Sequence, residues 1–418
     1  MDINVALLPY NLCLINWLKS QKELGRKLVL CTATDESIAS AIATHLGFFD
    51  ATIASNGRIN LAGRSKACAL AKAYGENGFD YVGNSSADLA VWKKSRRAVV
   101  VNGSNDLPRK AGLLTEVQHV FPKEKNTVRT WIKVFRLHQW IKNILIFVPV
   151  LAAHELISGE IGTQLLLAFL SFSLCASSVY IANDLLDLES DRKHPRKKFR
   201  PFASGVAPIW KGIVLAPITL FLSLLITSYV GANFLQWLLV YFGLTCAYSW
   251  GLKRLALIDC LLLAILYTLR IVAGAAAASV QLSFWLLAFS VFLFLSLAFI
   301  KRCAELKIHL NTSVEKSDGR GYYTADLFLV QQLGVTSGYA AILVLALYLN
   351  SDNVARLYRT PEIIWGAIPL MILWVSRMWL KVDRGLMNDD PIVFAIKDKT
   401  SVLIGMFFLA TFALARIW

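Results

Sequence analysis

Three aspartates stand out for their spacing: Asp184, Asp187 and Asp191 lie in the segment Ile181-Ala-Asn183-Asp184-Leu-Leu-Asp187-Leu-Glu-Ser-Asp191. Steps of three and four residues put them on one helical face, with Tyr180 one turn earlier. Carboxylates so arranged repel one another, and each is costly beside hydrocarbon unless a cation offsets it. A divalent metal meets that need. Oxygen-only ligands suit Mg²⁺, which keeps several waters and shares its shell with substrate phosphates. The plainer alternative is a solvated helix end whose acids pair with the basic residues after it. The run Arg192-Lys-His194-Pro195-Arg-Lys-Lys198-Phe-Arg200 argues otherwise, because it supplies more positive charge than three acids require. Metal and cations together suit a polyanion.

Asp259 and Arg270 stand eleven residues apart in one apolar stretch, which is three helical turns and hence the same face. Asp259 is placed to complete a metal shell, and Arg270 to act as a deeper partner. Other polar groups mark the same end of the apolar stretches: Lys142 and Asn143, then Tyr248, Lys253 and Arg254, then Lys301, Arg302 and Glu305. Singly, each is what a snorkelling anchor looks like. Together they are expected to ring a cavity.

The elements that must position these groups are membrane helices. With 56% apolar residues, the 418-residue chain is too hydrophobic for an ordinary soluble protein. Stretches of about twenty apolar residues, each able to cross a hydrocarbon core, fall near 140–158, 162–182, 210–230, 233–251, 257–278, 282–300, 329–349, 363–380 and 400–417. The spacing therefore predicts about nine transmembrane helices. A net charge of +15 would suit nucleic acid or an anionic surface. The Lys and Arg residues fall between the spans, so no nucleic-acid partner is expected. One set of loops carries Arg192 to Arg200, Lys253, Arg254, Lys301, Arg302, Lys307, Lys316, Arg320, Lys381, Arg384, Lys397 and Lys399. The opposite set holds little beyond Arg356 and Arg359. By the positive-inside rule the basic side, with the candidate site, faces the cytoplasm of an integral multi-pass membrane protein.

Residues 1–110 read as a separate small α/β domain in the cytoplasm, joined through a basic connector at 111–128 to the membrane domain at 129–418. Helices are expected from Leu12 to Leu24, from Glu36 to Leu46 and from Ser65, with strands at Lys27 to Thr32, Ala51 to Ala54, Tyr81 to Gly83 and Ala98 to Asn102. Strands separated by helices imply a parallel sheet covered on both faces. The seven cysteines are scattered singly and read as reduced thiols. Asp2 and the interruptions at Pro9 and Asn11 are unlike a secretory signal.

Residues 129–418 resemble the UbiA superfamily of membrane prenyltransferases. The first aspartate motif of that family, NDxxDxxxD, is complete in Asn183, Asp184, Asp187 and Asp191. At the second motif the chain departs from the aromatic prenyltransferases: Tyr248-Ser-Trp-Gly-Leu-Lys253-Arg254-Leu-Ala-Leu-Ile-Asp259 offers one aspartate where they carry two or more. This segment is similar to the branch containing decaprenyl-phosphate phosphoribosyltransferase. So are Gln139-Trp140-Ile-Lys142-Asn143, Arg200-Pro201-Phe-Ala-Ser-Gly205 and Lys301-Arg302-Cys-Ala-Glu305-Leu306. The resemblance implies a Mg²⁺-dependent transferase moving phosphoribose from phosphoribosyl pyrophosphate to polyprenyl phosphate. It implies Asp184, Asp187 and Asp259 as catalytic metal ligands with Asp191 assisting. Lys142, Lys198, Arg200, Lys253 and Arg254 would meet phosphates, and Tyr180, Asn183, Asn143, Tyr248, Arg270, Lys301 and Arg302 would line the substrate site. The alternative is transfer of a polyprenyl chain from its diphosphate to an aromatic acceptor, as in quinone biosynthesis.

Residues 8–105 resemble a haloacid-dehalogenase-like domain through Lys27-Leu-Val-Leu-Cys-Thr32, Lys66 in Gly63-Arg-Ser-Lys66, and Gly83-Asn84-Ser-Ser-Ala-Asp88. Its nucleophile motif DxD has no counterpart, because Asp2-Ile-Asn4 precedes no apolar strand, and Asn84 stands where an aspartate usually serves. Without a nucleophile there is no phosphoaspartate route, so the domain is expected to be degenerate and inactive as a phosphatase. Two other classes are weighed. A transporter would place ionisable groups near the bilayer midplane in repeats, whereas these acids crowd one end, and a non-catalytic subunit would have no use for intact Asp184 and Asp187.

Overall fold

A computed structural model of the chain describes residues 4–122, 127–153, 159–194, 196–311, 321–351, 354, 358–387 and 390–417. Asp2, Lys123 to Asn126 of the connector, 154–158 of the first expected span, Pro195, and the loop charges Lys316, Arg320 and Arg356 lie outside the described residues. The chain divides into two compact units, one of residues 1–131 with 186–209, the other of 132–185 with 210–418.

The first unit is α/β. Its order is α1 (Leu12–Glu23), β1 (Val29–Asp35), α2 (Glu36–Leu46), β2 (Ala51–Ser55), α3 (Gly63–Tyr74), β3 (Asp80–Gly83), α4 (Leu89–Trp92), β4 (Arg97–Val101), α5 (Leu107–Gly112) and β5 (Glu116–Phe121). Every strand pair is parallel, as crossover helices require. Two features differ from expectation. The strands form two sheets, β1-β2 and β3-β4-β5, in place of one. The segment read as a connector also contains β5, which pairs with β4 over Arg97 to Val101. Its pattern Glu-Val-Gln-His-Val-Phe hides a half-exposed edge strand among polar residues. Ala67, Leu70, Tyr81, Val91, Trp92, Ala98 and Leu107 form the core beneath α3 and α4.

Asp80 fastens this unit at the start of β3. Arg96 donates to both of its oxygens at 2.9 and 3.0 Å, and Arg26, just before β1, donates as well. Burial raises the Asp80 carboxyl, but the hydrogen bonds and charges of Arg96 and Arg26 outweigh it and hold it below the ordinary range. A folded-state pKa lowered in this way stabilises the fold above the unfolded value of about 3.9 and ceases to as pH falls through the folded one. Asp80→Asn is expected to cost about 1.5–3 kcal/mol near neutrality, the range for hydrogen bonds to a charged group. Hydrogen exchange at Asp80–Gly83 and Arg97–Val101 should show the difference at pH 6 and lose it progressively as the pH falls below about 3.9 and on through the lowered folded-state pKa.

The second unit is a set of apolar helices: α8 (Gly159–Leu186), α10 (Ile209–Val230), α11 (Ala232–Trp250), α12 (Ile258–Ala278), α13 (Phe284–Asn311), α14 (Leu327–Leu349), α15 (Ala367–Asp383), α16 (Pro391–Lys397) and α17 (Lys399–Ile417), with α6 (Val128–Val134) and α7 (Val148–Ala152) preceding α8; the short α9 (Leu188–Lys193) after α8 belongs to the first unit. Among the described residues seven helices are long and apolar enough to cross a membrane, and eight if the bent pair Val128–Val134 and Leu137–Ala152 counts as one. The protein is thus an integral, multi-pass membrane protein whose backbone polar groups are satisfied within helices. Against the nine expected, α11 is a 19-residue helix without a charged side chain, diluted by Asn233, Gln236 and Ser249.

The first expected span, 140–158, is not one α-helix. Residues Leu137–Phe147 wind as a 3₁₀ helix, and α7 follows with Pro149 in its first turn, where the ring lacks an N–H. Threefold winding aligns residues three apart, and Trp140, Asn143 and Ile146 make such a row. Ile146 packs so closely on α12 that a Cβ added to Gly274 would lie 2.0 Å from its carbonyl oxygen. Glycine is what permits that approach.

Candidate functional site

One face of α8, stepping Ser173, Ser177, Tyr180, Asp184, addresses the 3₁₀ segment and the turn before it. Asn143 Nδ2 donates to Ser173 Oγ at 2.8 Å, and Trp140 Nε1 donates to Ser177 Oγ at 3.0 Å. Ser177 in turn donates to the Phe135 carbonyl at 2.8 Å. Next along the face, the Arg136 guanidinium lies 4.9 Å from the centre of the Tyr180 ring and forms an ion pair with Asp184. Arg136 has φ +50°, a left-handed conformation unusual for a residue with a side chain. Asp184 is 4% exposed, so its charge is held chiefly by that guanidinium. Asn183 donates to Ser249 Oγ at 2.8 Å, fixing the end of α8 to the end of α11.

Deeper in the same unit, Arg270 of α12 is buried and donates to Asn143 Oδ1 at 2.8 Å and to the Tyr241 hydroxyl at 3.2 Å. Its guanidinium carbon lies 5.0–5.4 Å from the ring centres of Phe172, Tyr241 and Tyr267. Cation–π attraction of this kind is worth most where water is excluded. Lys142 sits over the other neighbour of that array, 5.5 Å from the Tyr267 centre, and donates to Asp390 at 2.6 Å. Lys301 of α13 approaches the same carboxylate at 3.6 Å. Asp390 lies between spans, N-capping α16 by accepting from Ile392 N–H at 3.2 Å. Burial raises its carboxyl, yet the charges of Lys142 and Lys301 and the hydrogen bond from Lys142 hold it at about 2.

A third pair is fully enclosed. Asp259 and Arg302 are both 0% exposed and meet at 2.5 Å. Tyr322 donates to the other Asp259 oxygen at 2.6 Å, and Arg302 also pairs with Glu305. This arrangement joins α12 to α13 and engages both oxygens of the expected fourth metal ligand with protein groups.

The remaining expected residues lie elsewhere. The helical backbone is interrupted at Asp187, whose φ −87° and ψ 11° separate α8 from α9, so the single continuous face expected for the three aspartates is not formed. In the first unit Asp191 is buried and bound by Arg200 at 2.7 Å, while Lys198 is exposed over the Phe199 ring. Lys253 and Arg254 form a 3₁₀ turn after α11, with Arg254 exposed and Tyr248 half-buried before it. Among the described residues no three His, Cys, Asp or Glu side chains converge into a ready metal cage. Mg²⁺ does not need one, since one or two carboxylates with substrate phosphates and water suffice. The oxygen donors at Asn183-Asp184 fit that requirement.

Two participants were not foreseen. Arg136 stood just ahead of the apolar stretch with no spacing to single it out, and Asp390 belongs to the acidic pair before Pro391 in an otherwise basic loop, a contrast that could have flagged it. Opposite the charged end, an apolar hollow of about 650 Å³ opens among Val148, Leu286, Phe289, Leu345, Phe408 and Phe412. In the first unit, Lys66 donates to the Tyr81 hydroxyl at 3.1 Å, and that hydroxyl donates to Asp88 at 3.1 Å. The other Asp88 oxygen accepts from the backbone N–H groups of Asn84 and Ser85 at 2.9 and 3.0 Å.

A bundle of membrane helices with buried carboxylates and cations toward one end and an apolar hollow toward the other defines the class, an integral-membrane helical protein with a charged candidate site. Residues 144–408 match the UbiA prenyltransferase family, and the chain belongs to that family. It is 37% identical over 418 residues to an uncharacterized protein of Sinorhizobium fredii, covering 99% of this chain and 80% of that one. It is 31% identical over 306 residues to decaprenyl-phosphate phosphoribosyltransferase of Mycolicibacterium smegmatis, covering 72% of this chain and 96% of the relative. In fold it is similar to a UbiA homolog from Archaeoglobus fulgidus bound to GPP and Mg²⁺, with a TM-score of 0.50, 14% identity, and coverage of 68% of this chain and 99% of that one.

Proposed function

We propose that the protein is a Mg²⁺-dependent transferase that moves phosphoribose from phosphoribosyl pyrophosphate to a polyprenyl phosphate at the cytoplasmic face of the membrane. The observation that carries this reading is the buried Asp184 paired with Arg136, in a helical unit where Lys142 and Lys301 converge on a second buried carboxylate, Asp390. The likeness to a phosphoribosyltransferase over nearly all of that relative's length supports the choice of donor. Asp184, with Asn183 beside it, is the metal ligand proposed in the second unit, and Mg²⁺ there would neutralise charge developing on a pyrophosphate leaving group. On binding, Arg136 exchanges Asp184 for a phosphate oxygen, a bidentate partner that guanidinium favours. Lys142 and Lys301 meet the second anion. Asn143 and Arg270 hold the 3₁₀ segment so that Lys142 is presented, and Tyr180 supports Arg136. Asp259, enclosed with Arg302 and Tyr322, is assigned to the architecture in place of the metal. The apolar hollow suits isoprene units, whose burial is favourable in proportion to area. Counting α11 and the bent first pair with the seven longer spans gives the nine helices of the sequence reading.

The first unit is read as a haloacid-dehalogenase-like domain without phosphatase activity. Lys66, Tyr81 and Asp88 are engaged with one another, and the nucleophile motif DxD has no counterpart in the sequence.

The test is incubation of the purified chain in lipid nanodiscs with Mg²⁺ and either of two substrate pairs. Label from phosphoribosyl pyrophosphate is expected in the lipid extract when polyprenyl phosphate is the acceptor. Product formed only from polyprenyl diphosphate and an aromatic acid would reject the phosphoribosyl reading in favour of prenyl transfer.

A further inference from the structure

Asp390 is the acid in the second unit whose surroundings most resemble those of a bound phosphate oxygen. Three groups from three different elements converge on its Oδ2 alone: Lys142 of the 3₁₀ segment donates at 2.6 Å, Tyr267 of α12 donates at 3.4 Å, and the Lys301 ammonium of α13 stands at ion-pair distance, 3.6 Å. Its Oδ1 is left to cap Ile392. The side chains of Lys142 and Asp390 are 8% and 10% exposed. A lysine so enclosed within a span is costly without an anion beside it. Yet among the described residues one carboxylate facing two ammonium groups leaves the cluster one positive charge in excess. Such a cluster prefers a more highly charged oxyanion to the one it has. Asp390 also sits between spans, ahead of the seven-residue α16, so it can withdraw without unwinding a membrane helix.

Resting on the phosphate-site reading above, we propose that Asp390 is a positioning residue, a tethered stand-in for substrate phosphate that holds Lys142 and Lys301 in alignment and yields them when the substrate anion arrives. Such internal competition has a definite sign. Apparent affinity is reduced by the fraction of time the lysines are engaged by Asp390, so removing the carboxylate tightens anion binding. An ion pair that served stability alone would show the reverse, because unpaired lysines would lose their positions.

The test is calorimetric titration of the full chain in nanodiscs with inorganic pyrophosphate and Mg²⁺. Asp390→Asn is expected to lower the Kd at least fivefold, and Asp390→Glu, which keeps the charge, to change it less than twofold. Adding Lys142→Met to Asp390→Asn should abolish the gain. An independent measurement needs no variant: pyrophosphate should speed hydrogen exchange at Ile392 in the unaltered protein, since its cap departs. If the unaltered chain binds pyrophosphate but Asp390→Asn binds it no more tightly, or Ile392 exchange is unmoved, the stand-in role is overturned and the phosphate site survives. If neither protein binds pyrophosphate, both fall together.

Discussion

Asp184→Ala is expected to lower turnover by about 10²–10³-fold or more, the scale for losing one electrostatic stabiliser of a charged transition state, while the protein still inserts and folds. Two consequences of the substitution have opposite signs. Arg136 loses its partner, which costs stability, but its position beside the Tyr180 ring keeps one favourable contact. The metal loses a ligand for which Ser249-bound Asn183 cannot substitute by charge. Initial rates with saturating substrate, compared with thermal melting of the same preparation, separate the two. A variant that melts normally and turns over normally would remove Asp184 from the metal site.

Arg302→Gln is expected to be among the most destabilising single changes outside that cluster, by roughly 3–5 kcal/mol, because it leaves an uncompensated buried charge on Asp259. Both partners are wholly enclosed, so water cannot replace the lost guanidinium. Adding Asp259→Asn to the same chain should recover more than half of the loss, since a neutral pair avoids the uncompensated charge and still offers an acceptor to Tyr322. Melting temperatures in detergent measure the recovery. Turnover of the double variant decides the chemistry: activity within tenfold of the unaltered protein fits an architectural Asp259, whereas a folded but inactive double variant would return Asp259 to the metal.

The membrane helices and the α/β order were legible because each rests on a local signal: apolar length for the spans, and alternating periods with end caps for helices such as Glu36–Leu46, whose expected bounds coincide with those observed. Asp184, Lys142, Asn143, Arg270 and Lys301 were legible as polar residues where apolar ones were due. What escaped was pairing. Sequence spacing could not say that Arg270 turns to Asn143, or that Asp259 is closed off by Arg302, because both partnerships join segments far apart in the chain. It could not foresee the break at Asp187 either, since nothing in Leu-Leu-Asp-Leu forbids a helix. β5 was missed because an edge strand needs only half the apolar pattern of an interior one.

The eleven residues from Leu137 to Phe147 are wound to a tighter gauge than chains normally sustain. At about 2.0 Å per residue they advance some 22 Å, against about 16.5 Å for the looser coil, so the segment behaves as a spring stretched by roughly 5.5 Å. Its own hydrogen bonds do not favour that length. The pegs that keep it drawn out are two serine hydroxyls on α8 and the carbonyl of Asn143 on Arg270. The reach of Lys142 is therefore governed by hydrogen bonds made by its near neighbours Trp140 and Asn143, and loosening any of them should shorten the spring and retract the lysine.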